Sequence, residues 1–96
     1  MIKVIWLFAD REAESYIAQN FLPMVREIPG AEEVTLSRVV ASAMDEFPAR
    51  FFLEARFATE DVMNAAFASA EGRRISREIM ESAGKGMEMV TLEVMD

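Results

Sequence analysis

Two stretches of the chain predict β-strands with apolar side chains on both faces. Residues 2–8 carry Val4, Trp6 and Phe8 on one face and Ile5 and Leu7 on the other, and residues 49–58 carry Phe51, Leu53 and Phe57 against Phe52. Successive side chains of a strand point to opposite faces of its sheet, so one layer of helices covers only half of them. If the other half lay in water, the bare apolar patch would measure several hundred Å², more than soluble monomers normally expose.

The chain has 96 residues, which is enough for one modest core but not for a further layer over the second face. The remaining cover is a second copy of the same sheet, because such a two-fold contact reaches the area of a stable interface. We therefore expect a homodimer in which two sheets face each other. The alternative is a monomer whose open sheet face is apolar.

Hydrophobic periodicity predicts the element order β-α-β-β-α-α-β. The strands are expected at residues 2–8, 33–40, 49–58 and 87–95, an irregular hairpin loop at 41–48, and the helices at 11–28, after the cap at Thr59, and from the break at Ser69 and Gly72 to Gly84. Two right-handed crossovers joined through a hairpin give a ferredoxin-like sheet of order 4-1-3-2 with every helix on one face. The predicted fold class is α+β, with a four-stranded antiparallel sheet in one domain over residues 1–96.

Pro23 interrupts the first predicted helix. Asp10 is placed to cap this helix, and Ile17, Phe21 and Val25 follow the spacing of one helical face. Proline has no N–H for the hydrogen bond of its own turn. We therefore expect a kink or a restart of the helix near Phe21.

The charge and composition exclude several classes of function. Ten Lys and Arg residues stand against 17 Asp and Glu residues, a net charge of −7, which disfavours nucleic acids and anionic membrane surfaces as partners. The chain has no Cys and no His, so it lacks thiolate and imidazole groups and the commonest ligands of zinc and haem. Its acidic pairs are adjacent in sequence and do not converge on one ion. We expect neither a metal nor a cofactor.

The hydrophobic residues are too evenly spread for a membrane span. They make up 52% of the chain, which excludes disorder, yet the longest unbroken apolar run is Val4–Ala9. This run ends at Asp10, before it reaches the length of a signal-peptide core. We therefore expect a cytoplasmic protein.

Four segments have the motif residues of one family. They are Phe-Leu-Pro-Met-Val-Arg-Glu-Ile-Pro-Gly at 21–30, Val-x-Leu-Ser-Arg at 34–38, Phe-Ala-Thr followed by Val62 at 57–62, and Ala-Ser-Ala-Glu-Gly at 68–72. In this order and spacing they resemble the EthD family over nearly the whole chain. The resemblance implies a dimeric α+β barrel made of two ferredoxin-like halves.

The function that this resemblance implies is broad. EthD itself is associated with bacterial ether degradation without a defined reaction, and related dimeric barrels include cofactor-free oxygenases and polyketide cyclases with a pocket between helices and sheet. Members of the family often have a His two residues before the proline of the first helix, where this chain has Phe21. Imidazole chemistry therefore does not carry over to this chain.

Tyr16 and Asn20 are candidate catalytic residues. They lie one turn apart on the first predicted helix, so both can point into a pocket beside the first strand. Trp6, Tyr16 and Phe21 are the candidate ligand-binding residues of that pocket. The alternatives are structural: a Tyr at the boundary of the core with a hydrated hydroxyl, and a Trp packed in the core or in the dimer interface.

Phe52, Glu54 and Arg56 alternate along the third predicted strand, which places them on one face inside the dimer or barrel. There the two charges either bind a polar group of a ligand or form ion pairs that fix the register of the dimer. We expect Arg38 and Glu93 to join them from neighbouring strands.

Three functions remain open. The first is an EthD-like homodimer that binds or handles a small hydrophobic organic molecule as an accessory to a catabolic pathway. The second is a cofactor-independent oxygenase, cyclase or isomerase in which Tyr16 and Asn20 polarise the substrate and Trp6 stacks on it. The third is an interaction or regulatory module without a ligand. A cavity of at least about 300 Å³ at Tyr16 or Asn20 would favour the first two, and a solid interior the third.

Overall fold

The computed structural model describes residues 1–43, 47, 49–83 and 86–96. Its strands are β1 (Ile2–Phe8), β2 (Val34–Arg38), β3 (Phe51–Phe57) and β4 (Met87–Glu93). They form one antiparallel sheet in the order β2-β3-β1-β4, which confirms the predicted ferredoxin-like topology. Residues 44–46 and 48 of the predicted hairpin loop and the predicted helix end at Gly84 lie outside the described residues.

Three helices pack on one face of this sheet. They are α1 (residues 11–26), α2 (Glu60–Ala68) and α3 (Ala70–Ala83). The predicted caps are present: the Asp10 carboxylate accepts the N–H of Glu12 at 2.9 Å, and the Thr59 hydroxyl accepts the N–H of Val62 at 3.1 Å. Several elements end one or two residues short of the predicted bounds, because caps and strand pairing rather than periodicity decide where an element stops.

Helix α1 widens into a π turn before Pro23. Its pieces are a 3₁₀ turn (Arg11–Ala13), an α-helical piece (Glu14–Tyr16), the π turn (Ile17–Phe21) and a second α-helical piece (Leu22–Arg26). In the π turn the N–H of Leu22 donates to the carbonyl of Ile17, five residues earlier. Pro23 has no N–H to continue the α-helical pattern, and its ring would clash with the carbonyl four residues before it. The helix is therefore irregular where the sequence predicts it. The irregularity is a π turn, which contains one residue more than an α-helical turn, and not the predicted kink or restart.

The core lies between the sheet and the helices. Along β1 and β3 every second residue is buried on this side. Trp6 and Phe57 are almost completely buried there, and both contact the ring of Phe67 in α2, at centroid distances of 6.3 and 5.7 Å. The helices add Ile17, Phe21, Val25, Ala66, Ile75 and Ile79 to the same core.

The opposite side of the sheet, which we call the open face, is also apolar at its centre. It consists of Lys3, Ile5, Leu7, Thr35, Ser37, Phe52, Glu54, Arg56, Glu88, Val90 and Leu92. In the single chain Val90 and Leu92 are 39% and 41% exposed, and Ile5, Leu7 and Phe52 are half-buried. The strands thus carry apolar side chains on both faces, as their sequence predicts.

The prediction that Arg38 and Glu93 join the charges of the open face is wrong. Arg38 pairs with Phe51 in the sheet, and Glu93 pairs with Ile2. Directly paired residues of antiparallel strands share a face, and both partners are buried under the helices. Arg38 instead forms an ion pair with Glu14 of α1.

The turn between α2 and α3 depends on Ser69 and Gly72. The Ser69 hydroxyl accepts the N–H of Gly72 at 3.0 Å and donates to the carbonyl of Ala66 at 2.6 Å. A Cβ on Gly72 would lie 2.0 Å from that same carbonyl oxygen, far inside contact distance. Glycine therefore allows the two helices to approach each other backbone to backbone.

We predict that Gly72→Ala lowers the free energy of unfolding by about 3 kcal/mol, because the added methyl group must displace the backbone of α2. Urea titration followed by circular dichroism measures this change. Glu71→Ala, at the exposed neighbouring position, is the control and should change the free energy by less than about 0.5 kcal/mol. Equal effects of the two substitutions would contradict the role assigned to Gly72.

Candidate functional site

A cavity of about 230 Å³ opens where the end of β1 meets the start of α1 and the end of α3. Its wall consists of Phe8, Ala9, Asp10, Ala13, Tyr16, Ile17, Phe21, Ser82 and Gly86. Because β1 ends at Phe8 and α1 begins at Arg11, the chain turns sharply at this point. The turn brings a strand end, a helix start and a helix end around one space.

Three aromatic rings form the apolar wall of the cavity. The rings of Phe8 and Phe21 stack at a centroid distance of 5.9 Å, and Tyr16 meets Phe21 edge to face at 5.2 Å. Phe8, Ile17 and Phe21 are buried, whereas Tyr16 is 49% exposed. The cavity therefore has a buried apolar floor, and Tyr16 extends its wall towards solvent.

The π turn of α1 brings Tyr16 to Phe21. In a regular α-helix, residues five apart lie about 140° apart around the axis, so these two rings would point in different directions. A π turn joins residues five apart by a hydrogen bond and stacks them along the helix. The side-chain Nδ2 of Asn20 donates to the Tyr16 carbonyl at 3.0 Å, the carbonyl that the backbone N–H of Asn20 would serve in an α-helix. Asn20 thereby supports the π turn.

Few of the described wall residues have polar side chains. They are Asp10, Tyr16 and, near the end of α3, Ser82, and all three are exposed. The Asp10 carboxylate also caps α1 through its bond to the N–H of Glu12. Asp10 is therefore both the cap of α1 and a residue of the cavity wall.

The structure brings only part of the predicted ligand-binding set together. Tyr16 and Phe21 line the cavity. Asn20 is exposed, directs its amide to a backbone carbonyl and lies outside the wall. Trp6 is 1% exposed and packs against Phe67, also away from the cavity.

The residues predicted for the dimer or barrel interior lie on the open face. Glu54 Oε1 is 3.3 Å from Lys3 Nζ. The two groups form an ion pair, but their relative orientation does not give a hydrogen bond. Arg56 Nη1 is 3.0 Å from the Glu33 carboxylate. Phe52 meets Phe47 edge to face at 6.1 Å. The sheet separates these side chains from the cavity beside Tyr16.

The sequence does not predict Phe8, Asp10 and Ser82 as wall residues. Its pattern places Phe8 in a strand and Asp10 at a helix cap, yet residues at a strand end and in the loop after it often line a site. Ser82 is far from both in the chain, and only the packing of α3 beside β1 brings it to the cavity. No sequence signal points to it.

Three arginines surround a second depression, of about 320 Å³, at the other side of the start of α1. It is lined by Arg11, Glu14, Arg38, Val39, Arg50 and Phe51.

Within residues 1–43, 47, 49–83 and 86–96, no three potential metal ligands converge on one point. No helix in that part of the chain is long and apolar enough to cross a bilayer.

We predict that Pro23→Ala restores an α-helical register and separates Tyr16 from Phe21, because the new N–H can take up the bond that proline lacks. Nuclear Overhauser contacts between the two rings measure the change and should be lost. Pro29→Ala, after the end of α1, is the control and should leave those contacts intact. Persistence of the ring contact in Pro23→Ala would show that the proline does not maintain the π turn.

The chain is similar in sequence and in structure to an EthD family protein from Bacillus halodurans C-125. The two share 27% sequence identity with a TM-score of 0.84, and the match covers 99% of each chain. A dimeric ferredoxin-like protein of unknown function from Jannaschia sp. CCS1 matches with a TM-score of 0.72 and 14% identity, over 97% of this chain and 98% of that one. An antibiotic biosynthesis monooxygenase matches with a TM-score of 0.59 and 16% identity over 100% of both chains. No family model and no curated protein match the chain.

The two more distant similarities establish the fold alone, since one fold serves many activities. The match to the Bacillus protein covers 99% of this chain, so it includes the segments at residues 21–38 and 57–72 and the sheet and helix layer. In fold and in sequence this chain is therefore similar to an EthD family protein.

Proposed function

We propose that this protein is a homodimer that binds a small hydrophobic organic molecule in the cavity beside Tyr16 and Phe21, as an accessory to a catabolic pathway. The observation that carries the proposal is the cavity wall, in which buried Phe8, Ile17 and Phe21 form an apolar floor. A ligand that enters such a space removes apolar surface of its own from water. The accessory role follows from the EthD resemblance.

The volume of the cavity limits the size of its ligand. It measures about 230 Å³, which is below about 300 Å³, the lower end of the usual range for drug-sized ligands and the volume expected of a ligand pocket here. An engineered apolar cavity of about 150 Å³ holds benzene. A molecule with one ring, or a branched ether or alcohol of similar size, therefore fits.

The geometry supports binding better than catalysis. The enzyme hypothesis requires Tyr16, Asn20 and Trp6 to act on one ligand, and of these only Tyr16 lines the cavity. A proton transfer catalyst must lie within hydrogen-bond reach of its substrate. Asn20, whose amide donates to a backbone carbonyl, acts as a support of the helix in this proposal.

The open face supports the homodimer. Leu7 pairs directly with Phe52, and Ile5 pairs with Val90, so the apolar side chains form a continuous strip across three strands. Exposed strips of this kind mark interaction sites. A second copy related by a two-fold axis presents the same strip in return.

The charges beside the strip are compatible with burial. Lys3 lies within ion-pair distance of Glu54, and Arg56 is paired with Glu33. Burying charges that already have partners costs far less than burying single charges. The Jannaschia protein with the same fold is itself described as dimeric, which agrees with this arrangement.

We predict that Ala13→Leu reduces the affinity for a single-ring probe at least tenfold, because the larger side chain fills the space that the ring needs. Benzyl alcohol is the probe, and isothermal titration calorimetry measures its binding. Ala68→Leu enlarges an exposed alanine at the end of α2 in the same way and should leave the affinity unchanged. Unchanged binding in Ala13→Leu, or no binding by the wild-type protein, would refute the proposed site.

We predict that Val90→Glu converts the dimer to a monomer, because it places two equivalent carboxylates in an apolar contact. Light scattering coupled to size exclusion at micromolar concentration should give 10.8 kDa for the variant and twice that mass for the wild type. Met80→Glu introduces the same charge at a residue of α3 that is 67% exposed and should remain dimeric. A wild-type mass of one chain would refute the dimer, and a dimeric Val90→Glu would refute the use of the open face.

A further inference from the structure

One acidic residue, Asp10, belongs to the described wall of the cavity beside Tyr16. Among the described residues of its wall, Asp10 carries the only charged side chain. Its Oδ1 accepts one hydrogen bond, from the N–H of Glu12 at 2.9 Å. An ionised carboxylate offers about four acceptor positions, so Asp10 keeps the capacity to accept a hydrogen bond from a ligand.

The surrounding backbone does not neutralise this charge. The start of α1 contributes roughly half a unit of positive charge, which is less than the full negative charge of Asp10. Ser82 lies in the last turn of α3, where the helix dipole is negative. Arg11, the residue after Asp10, lines the second depression with Arg38 and is absent from the wall of this cavity.

We infer, as a refinement that rests on the proposed function, that this cavity selects small ring compounds by charge and prefers ammonium compounds to neutral ones and neutral ones to carboxylates. The ring lies against Phe8 and Phe21, and the polar group reaches Asp10. An ammonium group donates a charge-assisted hydrogen bond to the carboxylate and is attracted to aromatic rings within about 6 Å. A carboxylate at the same position meets a like charge, which excludes ligands of that class.

Three probes of nearly equal size test this preference: benzylamine, benzyl alcohol and benzoate, titrated at neutral pH by isothermal titration calorimetry. The wild-type protein should bind benzylamine at least tenfold more tightly than benzoate, with benzyl alcohol between them. Asp10→Asn removes the charge and keeps an N-cap of equal quality. In this variant the ratio of the benzylamine and benzoate affinities should fall at least fivefold.

Asp61→Asn is the matched control, because it makes the same change in net charge at an exposed carboxylate in the first turn of α2. It should leave the ratio unchanged. Equal binding of benzylamine and benzoate by the wild-type protein overturns the charge preference, and so does an equal change of the ratio in the two variants. If none of the three probes binds, the proposed function fails as a whole, and if Asp10→Asn does not fold, the wild-type ranking still decides.

Discussion

The two-sided apolar character of β1 and β3 is the constraint on which the rest of the structure depends. On the helix side the burial is complete, since Val4, Leu53 and Phe57 have no exposed surface. On the open face the same two strands present Leu7 and Phe52 only half-buried. Burial of apolar surface is the main favourable term of folding and of association. Three helices cover one face of this sheet, and the apolar centre of the other face is the basis of the proposed dimer.

The cavity arises from irregular backbone rather than from regular elements. The missing N–H of Pro23 is accommodated by a π turn, and the π turn aligns Tyr16 with Phe21. Asp10 ends the extended segment after β1 and caps α1 while it faces the same space. Turns of the π type frequently occur at functional sites, and this one gives a physical reason: it allows two side chains to meet that an α-helix would keep apart.

The similarity to other ferredoxin-like proteins establishes the fold of this chain, but the chemistry of its cavity depends on individual side chains. An EthD family protein, a dimeric protein of unknown function and a monooxygenase have this fold, so the fold does not distinguish among their activities. In this chain two residues of the cavity wall set its chemistry, Phe21 and Asp10. The first makes the wall apolar, and the second gives it a single negative charge among the described residues.

Local patterns in the sequence suffice to predict the order of elements, the caps at Asp10 and Thr59 and the irregularity before Pro23, because each depends on residues that are close in the chain. They also predict a pocket beside β1 with Tyr16 and Phe21. They do not predict that Asn20 turns to a backbone carbonyl or that Ser82 joins the wall.

The face on which Arg38 lies was likewise decided by tertiary structure. Strand register and the packing of α3 depend on contacts between residues far apart in the chain, and a shift of one residue moves every side chain of a strand to the other face. Arg38 therefore meets Glu14, and Trp6 meets Phe67. These contacts form only when the helices settle on the sheet, which is why periodicity reveals which residues are apolar but not which of them line a cavity.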